Sequence, residues 1–410
     1  MTNWEELQKR GLIKDVAGEG IEELINKGGV NFYWGTDPTA DSLHLGHYGS
    51  LITAKRLMKM GHHPILLVGG ATGRIGDPRP TSEREMMSIE TLEKNVEGIR
   101  LQIDSIFEGK AKLVNNYDWF KAYNFLDFLR DIGKYINVNY MISKDIISRR
   151  LETGITYAEF SYMLIQGYDF LYMFEKMNCI MQVEGSDQWG NITTGLDLIK
   201  KKTGKEAYGF TMPLILDSTG KKFGKSEGNA LWLDKNKTSS YQLYQYLINT
   251  EDAKVEEYLK IFTFLHLDEI ENIITKHKEE PHLRLAQKAL AEQIITDLHG
   301  KEEFEHAKKI SESLFSDKIW ELKSEEIIES LKDLPTFEIN DETNLVDLLV
   351  NHNICSSKRE AREMITGKAI NVNNTKITDI DKKITKKEAI EGQVILIKKG
   401  KKTYYLGIYK

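Results

Sequence analysis

Very little in this 410-residue chain offers a covalent or metal framework. Its two cysteines, Cys179 and Cys355, stand far apart with no CxxC spacing, which argues against a disulfide scaffold and a thiolate zinc site. No run approaches the roughly 20 apolar residues of a membrane span. The first six residues, Met1 to Glu6, have neither the basic start nor the apolar core of a secretory signal, so a cytoplasmic location is expected. The GxGxxG dinucleotide fingerprint is missing, and no internal repeat is visible. What remains is ordinary globular composition, 40% hydrophobic and 29% charged, in a chain long enough for two or three domains.

A net charge of −6 does not by itself point to nucleic acid, but its distribution is uneven. Residues 344–410 carry 14 Lys and Arg against 7 Asp and Glu, which leaves 42 against 55 in the rest. A basic tail on an acidic body fits contact with a polyanion and equally fits a solvated basic surface.

Apolar runs bounded by glycine, Val30–Trp34 and His63–Val68, read as buried parallel strands, with a further strand at Cys179–Val183. Helical periodicity fills Leu45–Met60, with Asp41 or Ser42 as its N-cap, and further helices are expected at 82–107, 125–133, 156–177 and 189–201. This alternation implies βαβ units and a parallel sheet. Residues 250–334 are helical, charged and nearly free of Gly and Pro, and the polar stretch 335–343 reads as a linker. Residues 344–410 combine two helical stretches with strands near 369–372, 393–397 and 403–408.

Two motifs carry the chemistry. His44-Leu45-Gly46-His47 sets two histidines three apart on one face at the start of a helix, where free N–H groups and the helix dipole suit phosphate. Lys222-Phe223-Gly224-Lys225-Ser226 puts two lysines and a hydroxyl on a glycine-containing loop, able to close on triphosphate oxygens. Each alone is weak; together, about 180 residues apart, they describe a nucleoside triphosphate held from two sides.

With Tyr33-Trp34-Gly35-Thr36-Asp37-Pro38-Thr39, Gly69-Gly70-Ala71-Thr72-Gly73, Gly76-Asp77-Pro78, Asn115 to Trp119 and Gly185-Ser186-Asp187-Gln188-Trp189-Gly190-Asn191, the chain resembles bacterial-type tyrosyl-tRNA synthetases, class I enzymes with an S4-like tail, along nearly its whole length. The resemblance implies an α/β fold: a Rossmann-like catalytic domain (1–220), the lysine loop and its connection (221–249), a helical anticodon-proximal domain (250–334), a linker (335–343) and a small α+β S4-like domain (344–410). It implies catalytic roles for Thr39, His44, His47, Lys222, Lys225 and Ser226. Asp37, Gly46, Ser50 and Asp187 are implied on the ATP side with the two lysines. For tyrosine it implies Tyr33 and Asp169 at the hydroxyl, Tyr162, Gln166 and Asp77 at the ammonium, and Gly35, Gln182 and Gln188 nearby. Tyr162, Gln166 and Asp169 form one helix stripe; such stripes usually face a core, but buried polar members need partners.

The same resemblance implies ATP with Mg2+ and no tightly bound cofactor. Its implied partners are tRNA(Tyr), L-tyrosine and a second copy in a homodimer, with no membrane. Lys358, Arg359 and Arg362 on one helical surface, and Lys401 and Lys402 in a basic hairpin, are implied to meet tRNA. Asn353 and Asn374 stand at turns where the module often has glycine, and asparagine tolerates the left-handed conformation needed there. One departure is Arg79 to Arg84, where the family often has a lysine-containing stretch. The rivals are the same chemistry with tryptophan and a non-catalytic RNA-binding protein on the same fold.

Overall fold

The structure, a computed structural model, describes all residues except 79–85, 227–228, 315–321, 332–333, 341 and 401–402; the side chains of 145–146, 225–226, 229 and 329–330 are also outside the described set. The chain divides into two compact units, 1–237 with 250–294, and 238–249 with 295–410. Among the described residues no helix is long and apolar enough to cross a membrane.

In the first unit the apolar runs become a six-stranded sheet of β1 (Val16–Ala17), β2 (Asn31–Thr36), β3 (His63–Val68), β4 (Lys112–Asn115), β5 (Cys179–Gly185) and β6 (Tyr208–Met212). Their spatial order is β1-β6-β5-β2-β3-β4. All neighbours are parallel except β1, which runs antiparallel to β6. From β2 the chain proceeds outward through β3 to β4, then returns to lay β5 on the other side of β2. The order therefore reverses between β2 and β5, the switch point where open α/β sheets bind ligands. The ladders show the crevice opening. β2 pairs with β3 as far as Thr36 and β5 with β6 as far as Gly185, but the β2–β5 ladder ends at Tyr33 opposite Gln182.

Helices form where the sequence carries their end signals. Tyr157–Met177 starts with the Thr156 hydroxyl accepting the Glu159 N–H, and ends at Asn178 in the left-handed conformation. Its inner stripe joins Tyr33, Ile65 and Leu67 in one core. Helix Leu45–Lys59 differs from expectation at its start: the N-cap is His44, not Asp41 or Ser42. An imidazole nitrogen can accept an amide proton as a hydroxyl or carboxylate does, and His44 does so.

In the second unit, helices Ser240–Ile248, Lys301–Leu314 and Ser324–Ser330 accompany a five-stranded sheet ordered Thr375–Lys376, Ile370–Val372, Val394–Lys399, Thr403–Tyr409, Thr336–Ile339. Residues of the expected linker thus pair as a strand, parallel to Thr403–Tyr409, because Phe337 and Ile339 alternate inward with polar neighbours. The helices expected as one domain over 250–334 are shared between the units, which divide after residue 294. Leu345–Asn351 and Lys358–Thr366 pack with this sheet into one core. Asn353 and Asn374 have φ of +56° and +64°, the left-handed turns expected of them.

Candidate active site

A cavity of about 430 Å3 opens at the crest of the first unit's sheet, above the β2–β5 split. It is lined by the expected Tyr33, Gly35, Asp37, Thr39, His44, Gly46, His47, Ser50, Asp77, Tyr162, Gln166, Asp169, Asp187, Gln188 and Lys222. Gln182 lies one layer below, donating through Nε2 to the Tyr33 hydroxyl at 2.7 Å. The side chains of Lys225 and Ser226, and all of Arg79, Arg84, Lys401 and Lys402, are outside the described residues. The backbone of Lys225 and Ser226 pairs with Ala230 and Asn229 in a short hairpin.

The floor is a buried polar network. Asp169, 1% exposed, accepts Trp119 Nε1–H at 2.9 Å and Asn116 Nδ2–H at 3.1 Å on its two oxygens. Asn116 also donates to Thr72 Oγ1 (3.0 Å), and Thr72 donates to Asp37 Oδ1 (2.7 Å). The Tyr162 hydroxyl reaches the other Asp37 oxygen at 2.9 Å. Burial pushes the Asp169 carboxyl up to about 8, against the pull of Asn116 and Trp119. Tyr33 and Tyr162 are raised well above the ordinary phenol range, chiefly by burial, so both stay protonated donors. Among the described residues Gln166 Oε1 is buried without a partner, an acceptor that a ligand or water in the cavity it lines would satisfy. Beside it Gln188 donates to Asp77 Oδ2 at 2.8 Å and is itself held by Asn191.

At the phosphate end the two distant motifs meet. The Leu45 N–H donates to Leu231 O, the Leu231 N–H to Gly224 O, and the Leu233 N–H to Leu43 O, so residues 231–233 tie the lysine loop to the histidine motif. Phe223, 2% exposed, stacks on Phe262 with centroids 4.7 Å apart and leans on Tyr258 at 4.5 Å. A Cβ on Gly224 would stand 2.7 Å from the Gly46 nitrogen, and one on Gly46 would stand 2.9 Å from the His44 ring. Gly224 is therefore needed by the backbone of Gly46, and Gly46 by the His44 ring and the Phe223 carbonyl.

The histidine rings stack 3.9 Å apart. The Gly46 N–H donates to His44 Nδ1 and the His44 N–H to His47 Nδ1, at 3.1 and 3.3 Å. Both Nδ1 atoms are acceptors, which places each neutral ring's proton on Nε2. Burial, with His44 and Lys222 close by, lowers His47 to about 3. His47 is thus a neutral donor, and the amides at the helix start, expected free for phosphate, are instead taken, that of Leu45 by Leu231 O and that of Gly46 by His44.

Thr72, Asn116 and Trp119 all lie within motifs that carry the resemblance, but the sequence assigns them no role, and it gives no signal for Glu184. Glu184 lines the cavity, is 5% exposed, and accepts the Gly35 N–H through its carboxyl Oε1 at 2.6 Å.

The family of class I tRNA synthetases (W and Y) matches residues 26–316, and a tyrosine–tRNA ligase SYY-like C-terminal domain matches 326–407. The chain belongs to this class I family. It is 46% identical to the tyrosine–tRNA ligase of Streptococcus mutans across the whole of both chains, and to that of Streptococcus pneumoniae across 99% of each. Among solved structures it is similar to the mitochondrial tyrosyl-tRNA synthetases of Coccidioides posadasii and Aspergillus nidulans, both C-terminally truncated. The first is 33% identical with a TM-score of 0.68, covering 75% of this chain and 91% of that one; the second is 33% identical at 0.67, covering 77% and 94%. Seen as a class I synthetase, the unit holding the cavity carries both signature motifs, and 326–407 falls in the second unit.

Proposed function

We propose that this protein is a tyrosine–tRNA ligase, which activates tyrosine with ATP and passes the tyrosyl group to the 3′-terminal adenosine of tRNA(Tyr). The observation that carries the choice of tyrosine is the buried pair on the cavity wall. Tyr33 has one hydroxyl lone pair taken by Gln182 and a proton to give. Asp169 has each oxygen engaged once and further lone pairs to offer. A phenol satisfies both groups, whereas phenylalanine leaves both buried and unpaired.

The substrate's ammonium then meets Gln166 Oε1, Asp77 and the Tyr162 hydroxyl, which sets its carboxylate toward the phosphate end. That carboxylate attacks the α-phosphorus; the bond to the bridging oxygen breaks and its electron pair leaves with pyrophosphate. No enzyme nucleophile takes part. The Nε2–H groups of His44 and His47, Thr39 and Lys222 supply donors and charge to the phosphate oxygens, with Lys225 and Ser226 on the same loop. Asp187 and Asp37 bracket the ribose side, where Gly46 and Ser50 leave room. Magnesium arrives with ATP as part of the substrate. In the second step the terminal ribose hydroxyl of tRNA attacks the activated carbonyl and AMP leaves. Lys358, Arg359 and Arg362, all exposed, support phosphate contacts in the tail; of these, Lys358 and Arg359 hold Asp347 and Glu363 at 2.6 and 2.9 Å, partners that RNA phosphates would displace.

A homodimer working in the cytoplasm completes the reading. Phe125, Leu126, Val138, Leu151 and Tyr157, exposed by 48–71%, recur along residues 125–157 of the first unit, apolar side chains that a second copy would cover. ATP–pyrophosphate exchange with tyrosine, phenylalanine and tryptophan in parallel tests the proposal. Exchange with tyrosine alone is expected. Exchange driven by tryptophan overturns the role of Tyr33 and Asp169, and no exchange by a folded, tRNA-binding protein returns the RNA-binding alternative.

A further inference from the structure

Glu184 places a buried carboxyl group in the cavity that the synthetase reading gives to two anions, the amino acid's carboxylate and ATP. It lies two residues beyond Gln182 on β5, and so on the same face, one step nearer the crest than the Tyr33 hydroxyl that Gln182 holds. That puts it past the ring-reading end of the cavity and toward the end lined by Asp37, Asp187 and Lys222. Its Oε1 accepts the Gly35 N–H at 2.6 Å, just where the β2–β5 ladder has stopped, so this side chain replaces a missing ladder bond. Among the described residues Oε2 makes no such bond, and Glu184 lines the cavity.

We propose that Glu184 works as a neutral acid, its Oε2–H donating to an anionic oxygen of the reacting pair, the amino acid's carboxylate or the α-phosphate. The inference rests on the synthetase reading above. An ionised Glu184 would oppose the approach of both anions, while the neutral acid offers each a donor and still accepts the Gly35 N–H through its carbonyl oxygen. The surroundings favour the proton. Facing Glu184 are the Tyr33 ring from β2, Asp37 from the turn after β2 and Asp187 from the turn after β5; Asp77, Asp169, His44, His47 and Lys222 line the rest of the cavity. Burial first, then Asp187 and Asp37, raise this carboxyl well above the usual range, against the lowering effect of the Gly35 N–H. No proton leaves Glu184 during the reaction, so it positions and stabilises without titrating in the cycle.

The test uses the full-length protein in ATP–pyrophosphate exchange with tyrosine from pH 6 to 9.5, comparing wild type, E184Q, E184M and E184A, with thermal melts to confirm folding. Glutamine keeps an acceptor for Gly35 and an N–H in place of the O–H, so E184Q should hold kcat within about threefold at pH 7. E184M and E184A should lose about 10- to 100-fold in kcat with a smaller change in the KM for tyrosine, as for a donor to a charged group felt most in the transition state. Wild type should show a fall in kcat at high pH that E184Q lacks. The wild-type minus E184Q infrared difference should contain the carbonyl band of a protonated carboxylic acid. A folded E184Q as inactive as E184A would show that an anionic acceptor is required and would overturn the proposal, as would identical pH profiles without the carbonyl band. Absence of exchange in wild type itself would count against the synthetase reading instead.

Discussion

Replacing Tyr33 by Phe isolates one oxygen atom at the centre of the specificity argument. The ring stays packed against Phe170, 5.6 Å away between centroids, so the wall of the pocket keeps its shape. Two hydrogen bonds go. The first is internal: Gln182, 1% exposed, loses the acceptor it holds at 2.7 Å, and a buried donor left unpaired costs about 1–3 kcal/mol of folding stability. The second exists only with substrate, where the phenol oxygen loses a donor worth about 0.5–1.5 kcal/mol net. At about 1.4 kcal/mol per factor of ten, kcat/KM for tyrosine should fall about 2- to 12-fold. Phenylalanine never used that hydroxyl, and the variant relieves it of one unpaired group. Its kcat/KM should hold or rise, so discrimination narrows by at least the factor lost with tyrosine. The assay is pyrophosphate exchange with both amino acids, alongside a denaturant melt. If both amino acids lose the same factor, Tyr33 acts as scaffold alone and the hydroxyl-reading argument is refuted.

Three further outcomes follow from the same geometry. Asp169, pushed up to about 8 by burial, binds more protons folded than unfolded, so its contribution to stability is complete below about pH 4 and lost as pH rises through about 8. The unfolding free energy of wild type relative to Asp169→Asn should therefore decline across that window, and a flat difference between pH 5 and 9 would contradict it. His47, lowered to about 3, has the opposite sign: its neutral burial stabilises above about pH 6.5 and is lost as pH falls toward 3. His47→Gln, which keeps an N–H, should soften that acid loss and retain more adenylate formation than His47→Ala; equal damage from both would sink the donor role. Arg362→Ala should weaken tRNA binding at low salt and reduce the slope of log K against log salt by about 0.7–0.9, leaving pyrophosphate exchange intact. An unchanged slope would remove Arg362 from the RNA surface.

Where the sequence was legible, the signal was local or periodic. His63–Val68 is a strand over the range its apolar run predicts, and Asn353 and Asn374 turn left-handed as expected. Tyr162, Gln166 and Asp169 share a cavity because i, i+4 and i+7 put them on one helical face. What stayed hidden depends on partners far along the chain. Phe223 looks like filler between two lysines, yet Phe262 and Tyr258, more than thirty residues on, make it the buried foot of the lysine loop. Asn116 is an unremarked polar residue until Asp169 and Thr72 arrive on either side of its amide. The stretch 335–343 reads as a linker because its alternation is short, and only the partner strand Thr403–Tyr409 turns Phe337 and Ile339 inward.

The opening between β2 and β5 joins these hidden contacts into one argument. A parallel ladder carried on past Tyr33 would close the crevice with main-chain hydrogen bonds and leave no room for a ligand. Here Glu184 takes the Gly35 N–H that such a ladder would have used, so the strands part without leaving that donor unsatisfied. The same opening exposes Tyr33 and Asp169 to a ligand from below while Gly46 and Gly224 bring the two signature motifs together from above. The roof is thus joined through backbone, Leu45 to Leu231 and Leu231 to Gly224, while the floor is held by its own side-chain network of Asp37, Thr72, Asn116 and Asp169. Bulk added at Gly224, where φ is +87° and a Cβ would stand 2.7 Å from Gly46, should displace the lysine loop from the histidines and slow adenylate formation while leaving the tyrosine pocket able to bind. Equilibrium dialysis with tyrosine, set beside the exchange rate of Gly224→Ala, separates the two; loss of tyrosine binding in that variant would show that roof and floor fold as one piece.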